Sequence, residues 1–543
     1  MILRRDANYE ECARCSRWDQ LQWLTVTFIC RRWRTLALGS PLLWNSIYWG
    51  PVQGRPPDDW ITAFIQRSAE APLDLDLRIS HLGFNIQDLL ISHSFRWRNV
   101  VFRANPPHLP PLLERLTLPA PHLESFTIIR NDGGASLREG IRDLPNTGIL
   151  IPKNTFCGHA PNLHVLALSS PIHMHPDSPI SRSLKSLNAY WNLRECNLLA
   201  VLASAPDLES LHVVRTLADC SAEAEQRAIN ETAGHFLPAD PVQLNRLQHF
   251  SVWSRLPRHC THLLTHLALP ALRRLGIAVT HLSQTAPLLD AVISFAQTVQ
   301  RNDAPVHGIF VSNYIGVTIV GWSLAQIQAM DHSPIVHVGQ PFARMACGGN
   351  RLLPSVEPLF YFCCSGEKRR DAYVPVLETA CRQIPRDPNA VRVLAVVITM
   401  ERTCAEWHRT FGLWPAIERL EFCEQVASWT LLEAATPNVA ERPTFLFPHL
   451  KKLVFSGQIK PHGGRALEYL RTLAENRKAA GIPIEVDFSQ CAYRSAYVTR
   501  VLQQSAKVTW DGEEWMPFCL DNLEQIPDVD GQGVWGNMFD LCV

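Results

Sequence analysis

Past the first hundred residues, apolar and polar positions follow one recurring order. A proline and any one residue are followed by apolar residues at the first, fourth and sixth places. The copies are PLLERLTL from Pro111, PHLESFTI from Pro121, PNLHVLAL from Pro161, PDLESLHV from Pro206, PALRRLGI from Pro270, PAIERLEF from Pro415 and PHLKKLVF from Pro448. Chance gives about one match if roughly a third of residues are Ile, Leu, Val or Phe and about 7% are Pro. Copies without the proline occur at Leu184–Ala189, Leu247–Val252, Val306–Val311 and Val391–Val396. The closing alternation, as at Leu166/Leu168 or Leu211/Val213, predicts a short strand that buries one face. The proline predicts an extended backbone and the end of any preceding helix. Helical runs stand before several copies, among them LLAVLASA before Pro206 and HLLTHLAL before Pro270.

Helix, proline turn and short strand, repeated, resemble the leucine-rich repeat, whose form is Leu-x-x-Leu-x-Leu. Steps of 21, 24, 25 and 26 residues between successive first apolar positions (163 to 184, 184 to 208, 247 to 272, 391 to 417) fit that repeat, while others are longer. The Leu113 and Leu123 copies stand ten apart and cannot both be full repeats. The resemblance implies an α/β fold: an irregular leucine-rich-repeat-like solenoid with a parallel sheet over residues 106–460, its strands side by side in sequence order. A two-layer α/β domain whose strands share a proline habit is the alternative. Leu166, Leu211, Leu275 and Leu453 are then core residues. His164, Glu209, Arg273 and Lys451 face outward as candidates for recognising a protein partner. The helix Ala466–Gly481 and the strand IPIEVDF after it suit a C-terminal cap within 461–543, ahead of a loosely ordered tail. Polar stretches at Asn131–Gly148 and Asp219–Pro241 predict loops.

The N-terminal residues differ. Leu21–Ile47 reads as short helices around the break Gly39-Ser40-Pro41, with Val26, Ile29 and Trp33 on one side and Arg31, Arg32 and Arg34 on the wet side. ICRRWR (Ile29–Arg34) and PLLW (Pro41–Trp44) resemble the C-terminal half of an F-box, as in F-box proteins of mushroom-forming fungi. The first twenty residues carry no Leu-Pro-x-Glu opening of that motif. The resemblance implies a partial F-box-like helical segment over 1–50, followed by a connecting segment over 51–105. In that segment Trp60, Phe64 and Arg67 keep helical spacing, and Leu73, Leu75 and Leu77 alternate as a strand. It further implies docking on a Skp1-like adaptor protein of a ubiquitin ligase through Ile29, Trp33, Leu42, Leu43 and Trp44, with an unknown protein substrate on the repeat body. A repeat scaffold without ligase association is the other reading.

Composition narrows the classes. Lys plus Arg and Asp plus Glu each total 51 in 543 residues, which gives no electrostatic reason to expect nucleic acid or an anionic membrane as partner. A hydrophobic fraction of 46% supports a folded core. The polar start, with Arg4, Arg5 and Asp6, lacks the apolar run of a secretion signal, so a cytoplasmic or nuclear location is expected. The uncharged stretch Ala304–Met330 reads as two buried strands around a turn at Ser312 and Asn313 rather than a membrane span.

Catalytic and metal chemistry finds little footing. The 16 cysteines are scattered, and Cys12 and Cys15 lack a second ligand pair at zinc spacing. His259, Cys260, His262 and His266 have ligand types at plausible spacing, but Leu263, Leu264 and Leu267 mark an ordinary repeat helix. His173 and His175 sit in a proline-bounded loop. GQGVWG (Gly531–Gly536) matches GxGxxG without the flanking strand and helix that a dinucleotide needs. The expectation is an interaction protein, with no cofactor and no catalytic or metal residues assigned.

Overall fold

The computed structural model describes residues 22–49, 58–130, 149–169, 172–190, 195–215, 240–254, 257–279, 285–312, 316–330, 358–365, 370–397, 402–423, 429–437, 445–457, 464–491 and 496–510. The chain divides into two compact units, Met1–Val391 and Arg392–Val543. The predicted loop at Asn131–Gly148, nearly all of that at Asp219–Pro241, the Cys12–Cys15 pair, GQGVWG and the tail lie outside the described residues.

The first unit begins with strands β1 (Ser46–Trp49), β2 (Leu73–Arg78), β3 (Trp97–Ala104) and β4 (Ser125–Arg130). It continues through β5 (Ile149–Ile151), β6 (Val165–Leu168), β7 (Ile172–Met174), β8 (Ser186–Tyr190) and β9 (Ser210–Arg215). Then follow β10 (Val242–Gln243), β11 (His249–Ser254), β12 (Leu267–Ala268) and β13 (Arg274–Val279). The last are β14 (Gly308–Ser312), β15 (Gly316–Trp322) and β16 (Phe360–Ser365). The order β1-β2-β3-β4-β6-β8-β9-β11-β13-β16 is parallel throughout and follows the sequence. β5 with β7, and β10 with β12, form small parallel pairs of their own.

The second unit repeats the arrangement with β17 (Val393–Val397), β18 (Arg419–Cys423), β19 (Lys452–Gly457), β20 (Glu485–Cys491) and β21 (Lys507–Thr509), all parallel and in order. The fold is therefore mixed α/β with a large, mostly parallel sheet, consistent with a leucine-rich-repeat-like architecture.

The recurring sequence unit acquires a physical meaning here. In PDLESLHV the Leu208 amide donates to the Ala205 carbonyl (3.3 Å), closing a four-residue turn with Pro206 in its second place. The same bond joins Leu163 to Ala160, Leu123 to Ala120, Leu272 to Leu269 and Leu450 to Phe447. Proline suits that position because its fixed φ matches the turn and its missing N–H is not needed there. Proline thus starts the turn that leads into each of these strands. The turn delivers the first leucine into the core, and the strand that follows buries the next two apolar positions.

Those positions stack in register: Phe126, Leu166, Leu187, Leu211, Phe250 and Leu275 are successive cross-strand partners, all buried. In the second unit Phe422, Phe455 and Phe488 stack with centroids 5.1 and 5.2 Å apart. The side chain of Arg477 reaches the Phe447, Pro448 and Leu450 carbonyls at 3.0, 3.2 and 2.7 Å. It satisfies the polar side of that unit's turn from within the core.

Three expectations need correction. The Pro111 copy is a helix, Leu109–Arg115, because Pro110 and Pro111 stand in its first turn, where proline needs no N–H partner. The strands are not wholly parallel and sequential: β14 and β15 form an antiparallel hairpin, and β15 pairs antiparallel with β16. That hairpin supplies the two buried strands expected within Ala304–Met330. The N-terminal helix is interrupted, since Cys30 is extended (φ −157°, ψ 168°) between Val26–Ile29 and Arg31–Leu38.

Candidate docking surface

The segment before β1 is built from short pieces: Gln22–Thr25, Val26–Ile29, Arg31–Leu38 and Pro41–Trp44. Gly39 closes the third, its amide donating to Thr35 at 3.0 Å, and Pro41 opens the fourth. Trp44 fastens the segment to the body. It is 2% exposed, and its Nε1 donates to the Ala37 carbonyl at 2.8 Å. Its ring meets Phe64 edge-on with centroids 4.9 Å apart, and the Arg67 guanidinium lies over its face. Trp44-x-x-Ile47 thereby fills the first two apolar places of the repeat pattern ahead of β2.

The other named residues face outward. Ile29, Trp33, Leu42 and Leu43 are exposed, together with Phe28, Leu36 and Leu38. Phe28 and Leu42 reach 76% and 72% exposure, unusual for large apolar side chains. Arg31 and Arg32 stand exposed among them, while Arg34 donates Nε to the Thr27 carbonyl at 2.9 Å and lies over the Phe28 ring. Four of the five residues expected to dock a partner are therefore exposed at the surface, as are Arg31 and Arg32. Trp44 is the exception: it is withdrawn from that surface and anchors the segment.

The outward repeat positions form rows rather than a scatter. The Glu124, His164, Lys185, Glu209, Gln248 and Arg273 backbones are joined successively by N–H···O bonds of 2.8 to 3.0 Å. In the second unit Lys451 lies 2.8 Å from Glu418, which also meets Arg392 at 3.1 Å. The hydrogen bond from Lys451 holds the Glu418 carboxyl below its usual range.

One cluster escaped the sequence reading. His212, Ser251, Gly276 and Tyr361 are cross-strand neighbours on β9, β11, β13 and β16. The Ser251 hydroxyl bridges the His212 imidazole and the Tyr361 phenol. Burial lowers His212 to about 4 and raises Tyr361 above its ordinary value. An imidazole so held is neutral at pH 7, and the Ser251 hydroxyl ties its ring to the Tyr361 phenol on another strand. The cluster's sequence signal is a polar or small residue (His212, Ser251, Gly276) between the second and third apolar places of three units.

Among the described residues no group of three His, Cys, Asp or Glu is placed to hold a metal ion. The His262 and His266 rings stack 4.4 Å apart, His266 Nδ1 bonds the His262 carbonyl at 2.8 Å, and Cys260 is in the core. No described helix is long and apolar enough to cross a membrane.

No protein-family model matches the chain, and no curated protein matches it. Among solved structures it is similar to the crystal structure of a TLR13–ssRNA13 complex, at 12% identity and a TM-score of 0.31. The match covers 85% of this chain and 48% of that one, so the chain spans about half the length of that relative.

Proposed function

We propose that this protein is a non-enzymatic adaptor. Its N-terminal helices dock a Skp1-like subunit of a ubiquitin ligase, and its repeat body holds a protein substrate. The observation that carries the reading is the exposed apolar set Phe28, Ile29, Trp33, Leu36 and Leu42 on a segment pinned from beneath by Trp44. Aromatic and aliphatic anchors of this kind supply most of the energy in compact protein interfaces. The residues ICRRWR and PLLW, which resemble an F-box, supply the choice of partner.

The test is calorimetric titration of the full chain with a purified Skp1-like protein. Binding is expected, and Trp33→Ala with Leu42→Asp should weaken it at least about tenfold without moving the melting temperature, because both side chains are exposed. No heat of binding with the intact chain would leave a repeat scaffold with no ligase link.

A further inference from the structure

Much of the charge along the sheet is neutralised in place. Arg98 and Asn99 hold Asp74, Arg103 holds Asp76, and Lys452 and Lys507 bracket Glu485. Three charges on neighbouring repeats behave otherwise. Lys185, Glu209 and Arg273 each stand directly after the first buried leucine of their unit, and none forms an ion pair with another described residue.

Their backbones lie in one row across adjacent strands. The Glu209 amide donates to Lys185 at 2.8 Å, Gln248 to Glu209 at 2.9 Å and Arg273 to Gln248 at 2.8 Å. With about 4.8 Å per strand step, Lys185 and Arg273 are about 15 Å apart, and Glu209 is one step from the lysine. Ser186 and Ser210, paired across β8 and β9, place half-buried hydroxyls beside the row. His249 adjoins this row, its amide donating to the Glu209 carbonyl at 3.0 Å. Its pKa is lowered by burial and by Arg274 and Arg273, against the opposing pull of Glu209.

We infer that this row recognises an extended protein segment of complementary charge order, two acidic residues flanking a base. It rests on the reading of the repeat body as a substrate surface. An extended chain rises about 3.3 Å per residue, so acids about four or five residues apart match Lys185 and Arg273. A nucleic-acid backbone is a poorer match, because it carries charge of one sign and Glu209 repels it between the two cations.

The experiment uses the full chain and two fluorescent peptides, one with two glutamates five residues apart and a lysine between them, the other with every charge reversed. Anisotropy at low salt should show binding of the first only, weakened about tenfold by Arg273→Glu. The triple variant Lys185→Glu, Glu209→Lys, Arg273→Glu should exchange the preference. Equal binding of both peptides, no binding of either, or tighter binding of a single-stranded oligonucleotide would overturn the assignment. Titration with the Skp1-like protein is independent of these residues, so failure of the peptide leaves the docking surface to its own test.

Discussion

Tyr361 lies across Gly276, its partner in the β13–β16 pair, and the phenol ring occupies the space a Cβ would take. Phe360 covers Gly321 on β15 in the same way. In each case an aromatic ring fills the gap left by a glycine on the neighbouring strand.

Gly276→Ala should therefore destabilise the first unit by about 1 to 3 kcal/mol, the usual cost of overpacking. It should also displace the phenol from Ser251. Denaturant midpoints and near-ultraviolet circular dichroism test this, and an unchanged aromatic signal would contradict the close approach.

Acid should weaken the fold through two histidines. His212 and His173 are lowered from 6.5 to about 4 by burial, so the folded state binds fewer protons than the unfolded one between those values. Their contribution is complete above pH 6.5 and is lost as pH falls toward 4. His212→Gln should flatten the slope of melting temperature against pH in that window. A slope equal to the parent's would show that His212 titrates normally.

Core and outward positions of the repeat should separate by energy. Leu211→Ala, at a fully buried rung, should cost about 2 to 5 kcal/mol. Lys451→Ala should cost no more than about 0.5 kcal/mol, since its ion pair with Glu418 is exposed. Comparable losses at both sites would argue against the stacked core.

Phe156 and Cys157 carry left-handed backbone (φ 56° and 55°) ahead of Gly158. Phe156 is held there by burial against Trp97 and Phe126, whereas Cys157 is exposed. Cys157→Gly should leave stability equal or higher by up to about 1 kcal/mol, and Cys157→Val should lower it by about 1 to 2 kcal/mol. Thermal melts that rank the two variants the other way would exclude strain at this turn.

The strands were legible in the sequence wherever a turn and three apolar places recur, because local chemistry and core burial agree there. Six of the proline-led copies and all four prolineless ones seat strands. The Pro111 copy misled because two prolines in a first helical turn satisfy the same letters as a proline-led turn. The placement of the β14–β15 hairpin depends on a long-range partner, β16, that periodicity does not encode. Cys30 interrupts the N-terminal helix without glycine or proline to announce it. Trp44 belongs by letters to PLLW and by burial to the repeat core. The His212–Ser251–Tyr361 relay joins residues far apart in the chain, so only strand register brings it together.

The turn that opens each unit has a further consequence. Register is set within a few residues, by the turn and the leucine that follows, and not by the distance back to the previous unit. Spacer length is thereby uncoupled from alignment, so steps of 21 and of about 40 residues enter the same sheet. Segments between units are free to lengthen or be exchanged over generations while the rungs beneath them stay in line.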